Sequence, residues 1–229
     1  MTEAEWLTCT DPRSMLLFLR GKASDRKLRL FVCACCRRVW HKLADSRSRR
    51  AVEVAERVAD GQADTAEVFA ARTEIDDLLR LKEQEWTEES QSSEAAYLYG
   101  YRDQWPLILA QSAVGEDVTP ERVNLAGSIA NTDETARAEW TAQAALLRDI
   151  FGNPFCPIAI APAWLTWRGG LLVVMAQKMY DSPDFSNMPI LADALEEAGC
   201  AGADILAHLR GPGPHARGCW VVDLLLGKD

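Results

Sequence analysis

Residues 189–227 read PILADALEEAGCAGADILAHLRGPGPHARGCWVVDLLLG, and this stretch carries the clearest structural pattern in the chain. Leu191 and Leu195 follow helical spacing until Gly199, a residue typical of the end of a helix. A second, shorter helix is predicted up to Leu209, and the Gly-Pro-Gly-Pro sequence that follows predicts a turn. The apolar run that begins at Trp220 predicts a buried terminal helix. Three short helices with so little connecting sequence indicate a packed helical core.

The rest of the chain repeats this helical pattern. Asp11 before Pro12, and Ser24 further on, are typical residues at the start of a helix. Alternating apolar residues and hairpin turn sequences are nearly absent, so no strands are predicted. Three prolines within residues 153–167 exclude one regular helix there. The sequence predicts an all-α, multi-helix protein with two helical lobes, 1–152 and 153–229, joined by this Pro-rich strap and packed together. The polar residues 87–93 predict a mobile loop or a frayed helix.

An amphipathic helix predicted over residues 25 to about 44 contains one charge within its apolar face, Arg29. A buried guanidinium needs a carboxylate or several carbonyl groups as partners. Asp223 is the only charge in the apolar run near the C-terminus, and it is the first candidate partner. We therefore predict a structural latch between this helix and the tail. The residues expected to form it are Arg29, Arg37, Trp40, His215, Arg217, Trp220 and Asp223.

The composition limits the class of protein. Of the 229 residues, 48% are hydrophobic, which is enough to fill a substantial core. The longest apolar run, residues 171–176, is far shorter than the roughly 20 residues of a membrane-spanning helix. The N-terminal residues do not resemble a signal peptide, and the seven cysteines are expected to be reduced thiols. We expect a cytoplasmic protein with no membrane partner.

Charge is distributed unevenly along the chain. Residues 13–57 contain 13 Lys/Arg and four acidic residues, whereas the rest of the chain contains 12 Lys/Arg and 30 acidic residues. The basic part could attract an anionic partner, or it could lie against the acidic part of the same molecule. The predicted basic face consists of Arg37, Arg38, His41, Lys42, Arg47, Arg49 and Arg50.

Cysteine and histidine residues make metal binding a further hypothesis. Cys33 and His41 are eight residues apart, about 12 Å along a helix, so they cannot share one ion. Cys33 and Cys36 with His215 and Cys219 would form a plausible tetrahedral Cys₃His site. The alternative is that small thiols fill a tight helix interface. Because no paired zinc-finger spacing is present, the expected cofactor is none.

Catalytic motifs are absent from the sequence. It contains no G-x-S-x-G, no phosphate-binding Walker loop and no H-E-x-x-H. A pair formed by Cys219 and His208 remains open, although buried thiols usually have raised pKa values and are inert. We therefore predict no catalytic residue.

Two stretches resemble an uncharacterised, much-duplicated protein family of planctomycete bacteria. They are the N-terminal LRLFVCACCRRVWHKL and the tail, from MPILADALEEAGC to ILAHLRGPGPHARGCWVVDLLLGK. LLRDIFGNPF, before the strap, is similar to the same family, whereas residues 62–117 match it poorly. The chain departs from the family pattern at Cys156, where arginine is more usual, which argues against a shared role for this thiol. The resemblance implies a common scaffold and no particular activity.

These observations predict a non-catalytic binding or interaction module whose partner is a protein. The alternative is the binding of nucleic acid or an acidic protein through the basic face, with phosphate contacts from its arginines. A zinc-binding protein or an enzyme is the third hypothesis.

Overall fold

The structure is a computed structural model, and it describes residues 1–89, 105–115, 118, 134–182 and 184–228. Within these ranges the chain forms α-helices and two short 3-10 helices, and no strand. The predicted all-α, multi-helix fold class is therefore confirmed. Each of the helices in these ranges is too short or too polar to cross a membrane. Of the predicted loop at 87–93, residues 87–89 belong to a helix and the remainder lies outside the described residues.

The helices are numbered here in chain order. They are α1 (Glu3–Thr8), α2 (Pro12–Leu19), α3 (Asp25–Arg38), α4 (Ser46–Ala59), α5 (Thr65–Glu89), α6 (Trp105–Val114), α7 (Glu134–Phe151), α8 (Pro162–Thr166), α9 (Leu171–Asp181), α10 (Met188–Glu197), α11 (Ala203–Arg210) and α12 (Trp220–Leu226). The 3-10 helices are Trp40–Lys42 and Trp167–Gly169.

Side-chain caps explain where several of these helices begin. The Asp11 carboxylate accepts a hydrogen bond from the Arg13 N–H, and Pro12 occupies the first turn of α2. The Ser24 hydroxyl accepts from the Lys27 N–H at the start of α3. Such oxygens satisfy backbone N–H groups that have no partner within the helix. Both predicted helix starts are confirmed.

Helix α3 is shorter than predicted, because it ends at Arg38 and not near residue 44. At Val39 the backbone leaves the helical region, with φ −107° and ψ 23°. The Val39 N–H bonds to the Cys36 carbonyl oxygen at 3.1 Å, a 3-10 pattern that continues into the 3-10 helix Trp40–Lys42. Apolar periodicity extends through both kinds of helix, so the pattern alone did not indicate this change.

The chain divides into two compact units. The first consists of Met1–Thr10 and Ala142–Asp229, and the second of Asp11–Thr141. The predicted boundary at residue 152 falls inside the first unit. The N-terminal helix explains part of this difference: the Trp6 side chain is fully buried, and its Nε1 donates to the Gly152 carbonyl oxygen at 2.9 Å. Arg148 also donates to the carbonyl oxygens of Trp6 and Cys9.

The core of the first unit is built mainly from α9 to α12. Leu172, Leu191, Leu209 and Val221 are each fully buried there. The predicted Pro-rich strap is irregular up to α8, and its partly buried Trp164, with other apolar side chains of the segment, packs against this core. This segment is therefore part of the first unit, and it does not serve as a linker between two lobes.

The second unit is organised around α3, α4, α5 and α6, which pack against one another. Cys33, Cys35 and Cys36 are buried in this packing, with at most 2% of each residue exposed. Free thiols are small enough to fill tight helix interfaces, and here they do so. Arg29 is also buried, and its guanidinium donates to the carbonyl oxygens of Ala113 and Gly115 at the C-terminal end of α6.

Candidate metal centre

Four side chains that can bind a metal ion meet in the first unit. Asp149 lies in the last turn of α7, and His208 lies in the last turn of α11. His215 belongs to the turn that follows α11, and Cys219 directly precedes α12. Side chains from the C-terminal ends of α7 and α11, and from the segment between α11 and α12, therefore converge on one point.

Hydrogen bonds that involve backbone groups hold this turn in place beside Asp149. The Ala216 N–H donates to Asp149 Oδ2 at 2.9 Å. The next residue, Arg217, donates from Nε to the Tyr180 carbonyl oxygen at 3.1 Å and stacks on the Tyr180 ring. The Cys219 N–H closes the turn by bonding to the Ala216 carbonyl oxygen at 2.9 Å. Asp149 is thus both a member of the cluster and an anchor for the turn that supplies two other members.

The distances between the candidate ligand atoms are short. Asp149 Oδ1 lies 2.9 Å from His215 Nδ1 and 3.2 Å from His208 Nε2. His208 Nε2 lies 3.1 Å from Cys219 Sγ, and all four ligand atoms lie within 4.8 Å of one another. Zinc bond lengths of roughly 2.0 to 2.3 Å place the ligand atoms of a tetrahedral site about 3.3 to 3.6 Å apart. Small shifts of the side chains would therefore bring the four atoms to the corners of such a site.

Two members of the cluster are deeply buried, whereas His208 and His215 are partly exposed. Asp149 is 2% exposed and Cys219 is 0% exposed. Burial opposes ionisation of Asp149, but hydrogen bonds from His208 and His215 hold the pKa of the carboxyl below its ordinary value. Burial raises the pKa of the Cys219 thiol well above its usual value, and the charge of Asp149 raises it further. The thiol therefore keeps its proton at neutral pH unless a metal ion displaces it.

The same geometry argues against a nucleophilic Cys-His-Asp triad. In a triad the acid and the nucleophile lie on opposite nitrogens of the imidazole, so that one orients the ring and the other exchanges a proton with it. Here both Asp149 Oδ1 and Cys219 Sγ lie against the same atom, His208 Nε2. This arrangement is typical of atoms around a common centre and not of a proton relay.

His215 provides a further observation about the cluster. Its Nδ1 faces Asp149, whereas its Nε2 is buried and has no hydrogen-bond partner within the described part of the chain. Buried polar atoms without partners are rare and usually have a functional explanation. The non-ligating nitrogen of a metal-bound histidine usually has an outer hydrogen-bond partner, and the described residues supply none for His215 Nε2.

A cavity of about 180 Å³ adjoins the cluster. Asp149, His208 and His215 form part of its wall, together with Arg148. The turn after α11 closes one side through residues that include Gly211 and Pro212. Three of the four candidate ligands can therefore be approached from this space.

The residues of the predicted latch fall into two groups. Arg37 and Trp40 lie in the second unit, where the guanidinium stacks 4.1 Å from the centre of the indole ring. Arg29 also lies in the second unit. A carboxylate or several carbonyl groups were predicted as its partners, and its guanidinium donates to the carbonyl oxygens of Ala113 and Gly115. His215, Arg217, Trp220 and Asp223 lie in the first unit, and Asp223 is 1% exposed. The pairing of Arg29 with Asp223 stays a prediction.

The predicted basic face is largely neutralised by carboxylates of the second unit. Four arginines form ion pairs there: Arg37 with Glu56, Arg38 with Glu139, Arg47 with Asp45, and Arg50 with Glu74. Arg49 donates to the Leu43 carbonyl oxygen. His41 and Lys42 lie in the 3-10 helix and are exposed. Glu74 and Glu139 lie outside residues 13–57, so their two pairs favour the second predicted role, contact with the acidic part of the same molecule, whereas Asp45 and Glu56 belong to the basic stretch itself.

The predicted metal ligands were half of the observed cluster. His215 and Cys219 belong to it, whereas Cys33 and Cys36 lie in the core of the second unit. Sequence reasoning missed Asp149 and considered His208 only as a partner of Cys219. The sequence carried little signal for Asp149, because Arg148 directly precedes it and supplies a neighbouring charge.

Comparison of the chain with protein-family models, with curated proteins and with solved structures found no match. The resemblance to a planctomycete family therefore stays a prediction. The geometry of the cluster is therefore the observation that bears on function.

Proposed function

We propose that the first unit binds a zinc ion through Asp149, His208, His215 and Cys219. The observation that carries this proposal is the convergence of four ligand atoms within 4.8 Å of one another in a buried site. Zinc accepts carboxylate oxygen, imidazole nitrogen and thiolate sulfur, and four protein ligands are typical of a structural site. The ion would not react. It would hold α7, α11, the turn that follows α11, and the start of α12 together.

Charge balance also supports zinc. A divalent ion with one carboxylate and one thiolate has no net charge, which is favourable in a buried position. The Ala216 N–H that donates to Asp149 Oδ2 is the kind of outer partner that orients a ligating carboxylate. The raised pKa of the Cys219 thiol is compatible with this role, because a bound ion replaces the proton.

This proposal retains the wider role predicted from the sequence, a non-catalytic binding module. All seven cysteines are free thiols, which supports a reducing compartment, and we propose a cytoplasmic location. A protein partner and an anionic partner at the basic face stay predictions. The anionic partner is the less favoured of the two, because arginines of the basic face already form ion pairs with carboxylates.

The test is the metal content of the protein purified without added metal or chelator, measured by inductively coupled plasma mass spectrometry. We expect stoichiometric zinc in the wild type and its loss in Cys219→Ala, because removal of a ligand typically abolishes tight binding. Cys200→Ala is the matched control, since Cys200 is 3% exposed in the same core and is not part of the cluster. It should keep its zinc.

A second pair of variants separates loss of a ligand from loss of folding. His208→Ala should lose zinc, whereas His41→Ala, at an exposed position of the second unit, should retain it. Both proteins should keep a wild-type helical content by circular dichroism. Metal-free wild type after purification and after dialysis against zinc, or equal zinc in His208→Ala and the wild type, would contradict the proposal.

A further inference from the structure

A larger cavity of the first unit lies between α9 and the start of α10, and its volume is about 530 Å³. Met175 and Met179 line it from α9, and Ile190 lines it from α10. The described residues of its wall include no member of the proposed zinc cluster. Pockets of roughly 300 to 1,000 Å³ are typical of sites for small organic molecules. This α9–α10 cavity therefore has the size of a separate ligand site.

The apolar part of the α9–α10 cavity suits a ligand with an apolar body. Met175 and Met179 are four residues apart on α9, so their side chains lie on one face of that helix. Ile190 contributes a branched apolar side chain from α10, and 57% of this residue is exposed. Methionine side chains adjust to irregular shapes and make favourable contacts with aromatic rings through their sulfur atoms. An aromatic ring would therefore pack well against this part of the wall.

The polar part of the wall has an excess of negative charge. Two carboxylates, Asp181 and Asp184, lie there with one lysine, Lys178. Asp181 Oδ1 accepts a hydrogen bond from the Gln177 side chain at 2.7 Å, and Asp184 Oδ1 accepts from the Ser186 N–H at 3.0 Å. Hydrogen bonds from Ser186 hold the pKa of the Asp184 carboxyl below its ordinary value, so this group is ionised at neutral pH. Within the described part of the chain, neither carboxylate forms an ion pair.

We propose that the α9–α10 cavity binds a small organic amine, with an apolar body and a protonated nitrogen. The apolar body would pack against Met175, Met179 and Ile190, and the ammonium group would donate to Asp181 and Asp184. A cation balances the excess negative charge of the wall, whereas an anion would add to it. Hydrogen bonds between an ammonium group and a carboxylate are roughly twice as strong as those between neutral groups. This site is independent of the proposed zinc ion.

The experiment compares three compounds that share a phenylethyl group and differ in charge at neutral pH. They are 2-phenylethylamine, a cation, 2-phenylethanol, which is neutral, and 3-phenylpropanoate, an anion. Each is added to protein labelled with ¹³C at the methionine methyl groups, and the methyl signals are followed by NMR. The ring of a bound compound shifts the signals of methyl groups that lie next to it.

We expect the amine to shift the Met175 and Met179 signals in a saturable way, with an affinity at least about tenfold higher than that of 3-phenylpropanoate. Met15 is the internal control, because it is fully buried in the second unit and its signal should not move. Equal affinities for the amine and the anion would overturn the proposal. Unchanged Met175 and Met179 signals with the amine would also overturn it.

A pair of variants tests the role of the two carboxylates. The double variant with Asp181→Asn and Asp184→Asn loses both negative charges but keeps the side-chain oxygens that accept the hydrogen bonds described above. It should bind the amine roughly tenfold more weakly than the wild type does, and it should bind 2-phenylethanol with wild-type affinity. Retained binding of the alcohol would show that the cavity is intact.

Asp204→Asn is the matched control. It removes an exposed carboxylate of the same unit, in the first turn of α11, that does not line the cavity. This variant should bind the amine like the wild type. Wild-type affinity for the amine in the double variant, or the same loss of affinity in Asp204→Asn, would overturn the proposal.

Discussion

Cys219 and the thiols of α3 are equally buried, but their surroundings differ. Cys219 Sγ lies 3.1 Å from His208 Nε2, and it has a buried carboxylate nearby. Cys35 and Cys36 lie among the apolar side chains of α3, and burial is the main reason that the pKa of each thiol is raised well above its usual value. Burial alone therefore does not identify a metal-binding cysteine. The polar atoms around the thiol make the difference.

The raised pKa values of Cys35 and Cys36 predict that the second unit loses stability in alkaline solution. The unfolded chain releases these protons near pH 8.5, whereas the folded protein retains them. The contribution of these thiols to the free energy of unfolding is therefore fully present below about pH 8.5. Above that pH the free energy of unfolding decreases by about 1.4 kcal/mol per pH unit for each thiol. The measurement is the free energy of unfolding in urea between pH 8 and pH 10.

The control for this prediction separates titration from packing. The double variant with Cys35→Ala and Cys36→Ala should show a shallower decrease of stability with pH than the wild type. Val32→Ala changes a fully buried position of the same helix. It should lower the free energy of unfolding by the same amount at every pH, so the slope of this free energy against pH should stay that of the wild type. The same slope in the double variant and the wild type would show that these thiols are not responsible.

Two buried charges, Arg29 and Asp149, illustrate how much single residues reveal. Apolar periodicity places Arg29 within the buried face of α3, and the need for a partner follows from the cost of burying a charge. Its carbonyl partners are at residues 113 and 115, and no local pattern identifies them. Asp149 directly follows Arg148, so the sequence does not mark it as an isolated charge, and its partners come from α11 and the turn after it. Sequence predicts that such a residue needs a partner, whereas the fold determines which one.

At the scale of single elements, Arg29 stabilises the end of α6. The last carbonyl groups of a helix have no partner within it, and the guanidinium supplies donors to two acceptors, at Ala113 and Gly115. Arg29→Met should lower the free energy of unfolding by about 2–4 kcal/mol, because buried carbonyls lose their donors. Urea unfolding followed by circular dichroism measures the effect.

Arg37→Met is the matched control, since Arg37 lies on the same helix and pairs with Glu56 at a partly exposed position. Its loss should cost about 1 kcal/mol or less, as is typical of exposed ion pairs. Equal costs for the two variants would mean that Arg29 contributes no more than a surface residue.

Helix starts could be predicted better than helix ends. Asp11 and Ser24 act as caps through hydrogen bonds between neighbouring residues, so the information lies in adjacent positions. The end of α3 at Arg38 depends on a change to 3-10 geometry, which leaves the apolar spacing intact. Helix α12 was predicted from its apolar run, and the pair of Cys219 with His208 was left open, whereas the position of Asp149 beside them was not predicted.

At the scale of the whole molecule, the boundary between the units was the feature that the sequence predicted least well. Composition marks the Pro-rich residues 153–167 as irregular, but it does not reveal that they pack within the first unit. Nor does it reveal that the N-terminal α1 belongs with the C-terminal helices, since this depends on a long-range bond from Trp6 to Gly152. Contacts over such distances in the chain depend on packing, which local patterns do not encode.

All four proposed zinc ligands belong to the first unit, so removal of the ion should affect the two units differently. A ligand that binds only the folded state stabilises it by about 4 kcal/mol at a thousand times its dissociation constant. Adding a chelator should therefore increase local opening in α7, α11 and α12. It should also loosen α1, because Arg148, next to Asp149, bonds to the carbonyl oxygens of α1 and its C-cap.

Amide hydrogen exchange followed by mass spectrometry, with and without chelator, measures this opening residue range by residue range. Peptides from α1, α11 and α12 should exchange at least about tenfold faster without the ion, whereas peptides from α3 and α4 serve as internal controls and should be unchanged. Cys219→Ala should exchange as fast without chelator as the wild type does with it. Equal acceleration in α3 and α4 would mean that the chelator acts on the whole protein, and not through an ion held by these four residues.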